Sequence, residues 1–248
     1  MKAILMAAGV GSRINRYIDC PKSALKVGDI PLIERTVKML IDGGVDVSVV
    51  VGHKSEIIED ILEGYNIKFH YNPFFKITNS LASLWFAKES LIGTESVILA
   101  NADVFWEVDT YNALVSDNHD AVMLSDKSCI KQGDYFFQCD EHNYIIKYGK
   151  ELKPEERTSE YVGVAKIEGD FVKNFVDRLD AMVRNGQYDY WWENVLYHHI
   201  PETPVYTKDI SDYFWAEIDY IEDYSRISKY IETGDVSSKY VDYIHAIK

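Results

Sequence analysis

The chain opens on an apolar run, residues 3–8 (Ala-Ile-Leu-Met-Ala-Ala), which passes at once into Gly9-Val10-Gly11-Ser12-Arg13. Unbroken apolar residues ahead of a glycine loop read as a strand buried on both faces, the kind found in parallel sheets. Gly9 and Gly11 let the backbone turn sharply and approach a ligand. Their amides, with those of Ala7 and Ala8 and a helix start near Ser12, can point at anionic oxygens. Arg13 can grip a phosphate with two parallel bonds, and Lys22, after Pro21, adds a point charge. The layout suits a triphosphate. It is not a dinucleotide fingerprint, which wants a third glycine where Ile14 stands, nor a Walker loop, which needs Gly-Lys-Ser/Thr.

The pattern Ala-Ala-Gly-x-Gly-Ser-Arg followed by Pro21-Lys22 resembles the signature of nucleotidyltransferases that join a nucleoside triphosphate to a phosphorylated small molecule. Three further stretches narrow the resemblance. Asn79-Ser80-Leu81-Ala82-Ser83-Leu84 looks like the Asn-x-x-x-Ser-Leu helix of bacterial phosphocholine cytidylyltransferases, which implies nucleotide-binding roles for Asn79 and Ser83. Trp192-Glu193-Asn194 resembles their Trp-Asp-Asn. Residues 213–219 resemble a closing motif shared with aminoethylphosphonate cytidylyltransferases, and Gly133-Asp134 and Glu160-Tyr161-Val162-Gly163 look like that second group. The similarity runs to about residue 231.

Periodicity supplies the rest of the fold. A helix is expected over 31–43, with Ile33, Val37 and Leu40 on one face and Gly43-Gly44 at its end. Strands are expected over 45–52 and 67–72, with a short helix over 54–64 between them. A helix capped by Asn79 or Ser80 buries Leu81, Leu84, Trp85 and Leu91, and strands follow at 96–100 and 121–125. This is the order of a doubly wound parallel sheet. Beyond residue 128 an antiparallel hairpin (135–139 with 144–147), a strand (161–167) and an amphipathic helix (Val172, Phe175, Val176, Leu179, Met182, Val183) are expected. An aromatic-rich helix over 188–199, a short strand at 205–207 and a last helix over 221–231 complete the pattern. The tail after Gly234 carries no clear pattern. The expected fold class is therefore α/β: a single Rossmann-like domain over 1–248, with a mixed, mostly parallel sheet flanked by helices. A small antiparallel lobe divides it into a nucleotide-binding half (1–127) and an acceptor-binding half (128–233).

Bulk properties exclude other classes. A net charge of −14 repels nucleic acid. No apolar run reaches the roughly 18 residues of a membrane span, and residues 3–8 are too short for a signal peptide. Cys20, Cys129 and Cys139 have neither zinc nor disulfide spacing. A cytoplasmic protein is expected, with no nucleic-acid or membrane partner, and with self-association left open. The seven histidines are scattered, and His198-His199 read as structural.

Asp103 stands at the carboxyl end of the strand ending near Ala100, the edge where open α/β sheets bind ligands. Asp219 follows Ile218, which would point inward. Either acid alone can be a helix cap. As a pair facing a phosphate loop they suit Mg2+, which takes oxygen ligands and commonly only one or two carboxylates; the resemblance implies this metal role for both. Arg13 and Lys22 would carry the catalytic charge stabilisation. No Ser-His-Asp or Cys-His arrangement is present or needed.

The expected partners are CTP and a phosphorylated acceptor bearing a cationic head group, held by Tyr190, Trp192, Glu193, Trp215 and Glu217 through ring faces and carboxylates. Two departures from the phosphocholine pattern matter: Glu193 replaces an Asp, and Asn101-Ala102-Asp103 has one carboxylate fewer than Asp-Ala-Asp. Another aminophosphate or phosphonate, or a sugar or polyol phosphate used with CTP, UTP, GTP or dTTP, stays open as acceptor chemistry. A glycosyltransferase would not need the Gly9–Gly11 loop with Lys22, and a non-catalytic regulator would be expected to lack Lys22, Asp103 or Asp219.

Overall fold

Strand β1 (Lys2–Ala7) sends Ala3, Leu5 and Ala7 into one hydrophobic layer and Ile4 into another. Burial on both faces explains why the run is continuously apolar. The computed structural model describes residues 1–11, 19–131, 133–200 and 202–239. The predicted helix start near Ser12 lies outside them.

After a two-stranded ribbon, β2 (Lys26–Val27) with β3 (Ile30–Pro31), the chain enters α1 (Leu32–Asp42). Then come β4 (Asp46–Val51), α2 (Ser55–Ile61), β5 (Lys68–Tyr71), α3 (Ser80–Phe86) and β6 (Ser96–Asn101). Strand β1 pairs in parallel with β4 on one side and β6 on the other, and β4 pairs in parallel with β5. The chain thus reverses its direction of winding at β1. The carboxyl ends of β1 and β6 flank the crevice where such sheets bind ligands.

The remainder is β7 (Val104–Phe105), α4 (Val108–Val115), β8 (Ala121–Asp126), β9 (Phe136–Cys139) and β10 (Ile145–Gly149). It continues through β11 (Ser159–Glu168), α5 (Asp170–Arg184), α6 (Asn194–Tyr197), β12 (Tyr206–Asp209), β13 (Ala216–Glu217) and α7 (Ile221–Thr233). Among the described residues the main sheet has nine strands. Strand β11 enters it antiparallel, between β6 and β8, and β12 closes that side parallel to β8. Residues 164–168 pair with β6, whereas Ser159 and Glu160 pair with β9. The register slips between Tyr161 and Ala165. Gly163 lies there at φ +89°, and a Cβ on it would come within 2.8 Å of Val104 Cγ2. This bulge lies where β11 passes from pairing with β6 to pairing with β9.

Two hydrophobic layers cover the faces of the sheet. One holds Ile33, Val37 and Leu40 of α1 against β1 and β4; the other holds Leu81 and Leu84 of α3 with Phe175 and Leu179 of α5. The α5 stripe forms as its spacing predicts, with Val176 and Val183 at its margin. The expected helix over 188–199 shrinks to α6. The preceding residues instead lend backbone carbonyls to the start of α3: Asn79 N–H donates to Tyr188 O and Leu81 N–H to Tyr190 O. Those carbonyls serve a neighbouring segment, and an extended turn serves it better than a helix.

The tail beyond Gly234 folds back as a short turn over Val236–Lys239. Its Lys239 ammonium, 2% exposed, bonds to the fully buried Asp126 carboxylate at 3.0 Å, and Trp215 Nε1 donates to the same oxygen at 2.8 Å. Burial alone would raise the Asp126 pKa; the bonds from Ser128, Trp215 and Lys239 hold it below the ordinary value. Breaking a buried pair by removing one partner typically costs about 3–5 kcal/mol. Lys239→Met is therefore expected to lose about 3 kcal/mol in denaturant unfolding, and pairing it with Asp126→Asn should recover part of that loss. A single-variant loss near zero would mean the pair contributes nothing.

Candidate active site

The crevice at the β1–β6 junction is a cleft of about 400 Å³, continuous in its lining with a smaller one of about 140 Å³. One wall carries Ala8, Gly9, Gly11, Lys22, Asn79, Ser83 and Asp103. Ala7 lines the smaller space with Lys22 and Asp103. Gly11 adopts φ +65°, and a Cβ there would press on Lys22 Cγ at 3.1 Å. The loop can lie against the lysine stem only because that atom is missing. Asn79 Oδ1 accepts from Ser80 N–H at 2.8 Å, and Ser83 Oγ accepts from Asn72 Nδ2 at 3.0 Å. Ser12 and Arg13 lie outside the described residues.

Lys22 Nζ sits between two carboxylates, 3.3 Å from Asp103 Oδ2 and in close contact with Asp219 Oδ1. Backbone pairing sets this geometry. Strands β7 and β13 pair antiparallel, Glu217 opposite Val104, and Ile218 N–H donates to Asp103 O at 3.0 Å. Ile218 is fully buried, as its position in the motif predicts. Asp219 does not cap the last helix: Asp223 Oδ2 accepts from both Asp219 N–H and Tyr220 N–H. A carboxylate four residues further on takes the capping task, and the Asp219 side chain turns to Lys22.

Asp103, Glu217 and Asp219 each offer an oxygen within 4.8 Å of the others. Burial pushes the Asp103 carboxyl up; Lys22 opposes this and Asp219 adds to it. Burial also drives Glu217 well above its ordinary value, helped by Asp103 and Asp219. Burial works to lower Lys22, but the summed pull of the carboxylates wins and holds it above the usual lysine value. Three clustered carboxylates with one ammonium still carry excess negative charge, and an all-oxygen donor set fits a hard divalent cation.

The opposite wall comes from the second half of the chain: Asp134, Tyr135, Lys150, Glu160, Tyr161, Trp191, Glu193 and Tyr197. Of the expected acceptor residues, Glu193 and Glu217 face the cleft. Trp192 does not. It is fully buried, with its Nε1 donating to Asn101 Oδ1 at 2.9 Å and its N–H to Ser80 Oγ at 3.0 Å. Its neighbour Trp191 presents a ring to the cleft instead, edge-on to Tyr135 at 5.9 Å. Trp215 is likewise buried, on Asp126. Tyr190 lies outside the cleft lining, edge-on to His198 at 5.6 Å. The facing of these side chains is not readable from the sequence, because an irregular turn has no period from which to infer it.

Asn101 Nδ2 donates to Glu193 Oε1 at 3.3 Å while its Oδ1 accepts from Trp192. Burial raises Glu193 to about 7 against that bond. Burial raises Glu160 to about 8, although Asp134 N–H donates to it at 3.0 Å. The buried hydroxyl of Tyr197 has no hydrogen-bond partner among the described residues. Among the described residues, six acidic side chains and two lysines line the larger cleft, a lining that favours cations.

Comparison with known proteins agrees with this geometry. The family model described as the MobA-like NTP transferase domain matches residues 3–145. The choline-phosphate cytidylyltransferase of Streptococcus pneumoniae is 24% identical over 241 residues, 94% of this chain and 99% of that one. The structure of CTP:phosphocholine cytidylyltransferase from S. pneumoniae superposes with a TM-score of 0.75 at 22% identity, covering 93% and 98%. The 2-aminoethylphosphonate cytidylyltransferase of Lancefieldella rimae is 26% identical over 228 residues, 88% of this chain and 87% of that one. The inositol-1-phosphate CTP transferase of T. maritima shares the fold, with a TM-score of 0.73 at 20% identity, covering 94% and 96%.

Removing the ammonium from between two acids leaves them unneutralised within 4.8 Å of each other. Lys22→Met is expected to lower the melting temperature of the ligand-free protein, and added Mg2+ should raise it more in the variant than in the wild type. Equal metal-induced shifts would show that Lys22 and a cation do not contend for the same carboxylates.

Proposed function

Because the chain belongs to the MobA-like NTP transferase domain family and is a nucleotidyltransferase, we propose that it transfers CMP from CTP to a phosphorylated amino alcohol or aminophosphonate. One observation carries the reading: a glycine loop and lysine face an aromatic, carboxylate-rich wall across one cleft. The base follows the cytidylyltransferase relatives. In this reading residues 1–127 handle the nucleotide and 128–233 the acceptor, and the three free thiols fit a cytoplasmic setting. No helix among the described residues is long and apolar enough to cross a membrane.

An oxygen of the acceptor's phosphate or phosphonate attacks the α-phosphorus in line. The bond from that phosphorus to the bridging oxygen breaks, and pyrophosphate leaves with its electron pair. The attacking oxygen is already anionic, so no base is required, and catalysis is positioning with charge stabilisation. The backbone of Ala7, Ala8, Gly9 and Gly11 would cradle phosphate oxygens, with Ser12 and Arg13 continuing the loop. Lys22 would turn from its carboxylates toward the triphosphate. Asn79 and Ser83 would border the nucleotide. Asp103 and Asp219 would hold Mg2+, which when bound neutralises the triphosphate and the charge that develops on it.

On the other side Glu193 and Glu160 would face the ammonium group, with Trp191 and Tyr135 offering rings. A second reading, a polyol or sugar phosphate as acceptor, is favoured by the Tyr197 hydroxyl, which could bond a substrate hydroxyl. A pyrophosphate-release screen of CTP, UTP, GTP and dTTP against phosphocholine, phosphoethanolamine, 2-aminoethylphosphonate and inositol-1-phosphate separates the two. Turnover confined to inositol phosphate would sink the amine reading.

Asp103→Asn and Asp219→Asn are each expected to keep the fold and lower kcat by at least about a hundredfold, as loss of a single charge-stabilising group does. EDTA should abolish activity and Mg2+ restore it; undiminished turnover in EDTA would remove the metal from the reaction. The acceptor should also show a pH signature. At pH 6 Glu193 (about 7) and Glu160 (about 8) both keep their protons, and neutral acids attract a cation weakly. Raising the pH ionises first Glu193 and then Glu160, so the acceptor KM should fall between pH 6 and 9 while that of CTP changes little. Glu193→Gln should remove the lower step of the profile. A flat wild-type profile would take the two glutamates out of acceptor binding.

A further inference from the structure

Lys150 is a cation on a wall suited to holding cations. It follows β10, and its ammonium lies 5.3 Å from the centre of the Trp191 ring and 3.5 Å from Asp134 Oδ2. All three residues line the cleft. Trp191 in turn packs edge-on against Tyr135, which stacks on Tyr197 at 5.4 Å. A positive group over an indole face with a carboxylate beside it is the arrangement that an ammonium ligand would seek. Here the chain's own side chain supplies that group.

The hold on Lys150 is weak. Its side chain is 39% exposed and that of Asp134 is 55% exposed. Partners so open to water gain little from pairing. A flexible lysine held by one ring face and one exposed acid can be displaced by a ligand that also reaches deeper carboxylates.

We propose that Lys150 is a resident competitor for the acceptor's cationic group, covering the Trp191 face until the acceptor enters and displaces it. The inference rests on the amine-acceptor reading above and adds a selectivity device to it. Any acceptor that needs this wall must displace Lys150. An acceptor with its own cation restores the contact with the ring, whereas a neutral sugar phosphate does not. The residue therefore weakens acceptor binding overall and weakens neutral acceptors most.

The test uses choline, a cation without phosphate, titrated calorimetrically into the full chain and three variants. Lys150→Met should tighten choline binding by about 3- to 10-fold, the range that one cation–aromatic contact supplies. Lys150→Arg keeps a cation on the ring and should bind choline no better than the wild type. Lys153→Met removes an exposed charge from the same turn and should leave choline affinity unchanged. Unchanged or weaker binding in Lys150→Met overturns the proposal while leaving the acceptor reading in place. Equal tightening in Lys153→Met also overturns it, by assigning the effect to net charge. Choline binding to none of the four proteins overturns the proposal and the amine-acceptor reading together.

Discussion

The Lys22 ammonium between Asp103 and Asp219 ties together parts of the chain separated by 81 and 197 positions. Two carboxylates within 4.8 Å of each other repel in a largely buried setting, and the protein tolerates them because a cation stands between them. The rest of the crevice follows from that arrangement. Strand β13 must run beside β7 to deliver Asp219, and it can do so because Phe105, Phe214, Ala216 and Ile218 share a small hydrophobic cluster under the pair. The loop bearing Gly11 must lie on the lysine stem, which leaves no room for a Cβ. A hard divalent cation could take the place of the lysine at the oxygens of Asp103 and Asp219.

A second polar junction explains the departure at residue 101. The Asn101 amide uses both ends, accepting from the Trp192 indole and donating to Glu193. An aspartate there could accept from the indole, but it would lack the N–H that bonds Glu193 and would set a second carboxyl group against it. The Asn101 amide thus holds Glu193 in place. Trp192 belongs to this junction and to the core, which is why its ring is turned from the cleft.

Much of the fold was legible because its elements have a period. Residues 3–101 alternate continuous apolar strands with striped helices, and α5 carries an unambiguous apolar face. The glycine loop, Lys22, Asp103 and Asp219 stood out by type and place. Other features had no readable signal. A two-residue strand such as β13 is too short for periodicity, so nothing in its composition told that Glu217 would pair opposite Val104. The turn over 188–193 is shaped by carbonyls given to α3, and the facing of Tyr190, Trp191 and Trp192 depends on that partner. Glu160 and Tyr161 were singled out by resemblance, but that they line the cleft beside the bulge at Gly163 was not readable from one glycine. Lys239, in a tail without pattern, found a buried partner 113 positions earlier.

The insertion of β11 between β6 and β8 has a consequence for the order in which the protein is made. Strand β6 ends at Asn101, and the residues that cover its outer edge, 164–168, emerge from the ribosome more than sixty positions later. Strand β8 waits for the same segment. Throughout that interval the nascent chain carries buried-type strands with bare hydrogen-bonding edges, the surface most prone to wrong pairing. The first 127 residues contain both waiting strands and neither completed edge. The proposed division of the chain into a nucleotide half and an acceptor half would thus be a division of labour in the finished enzyme. During synthesis the two halves are one unit, and the first cannot close its sheet until the second has been translated.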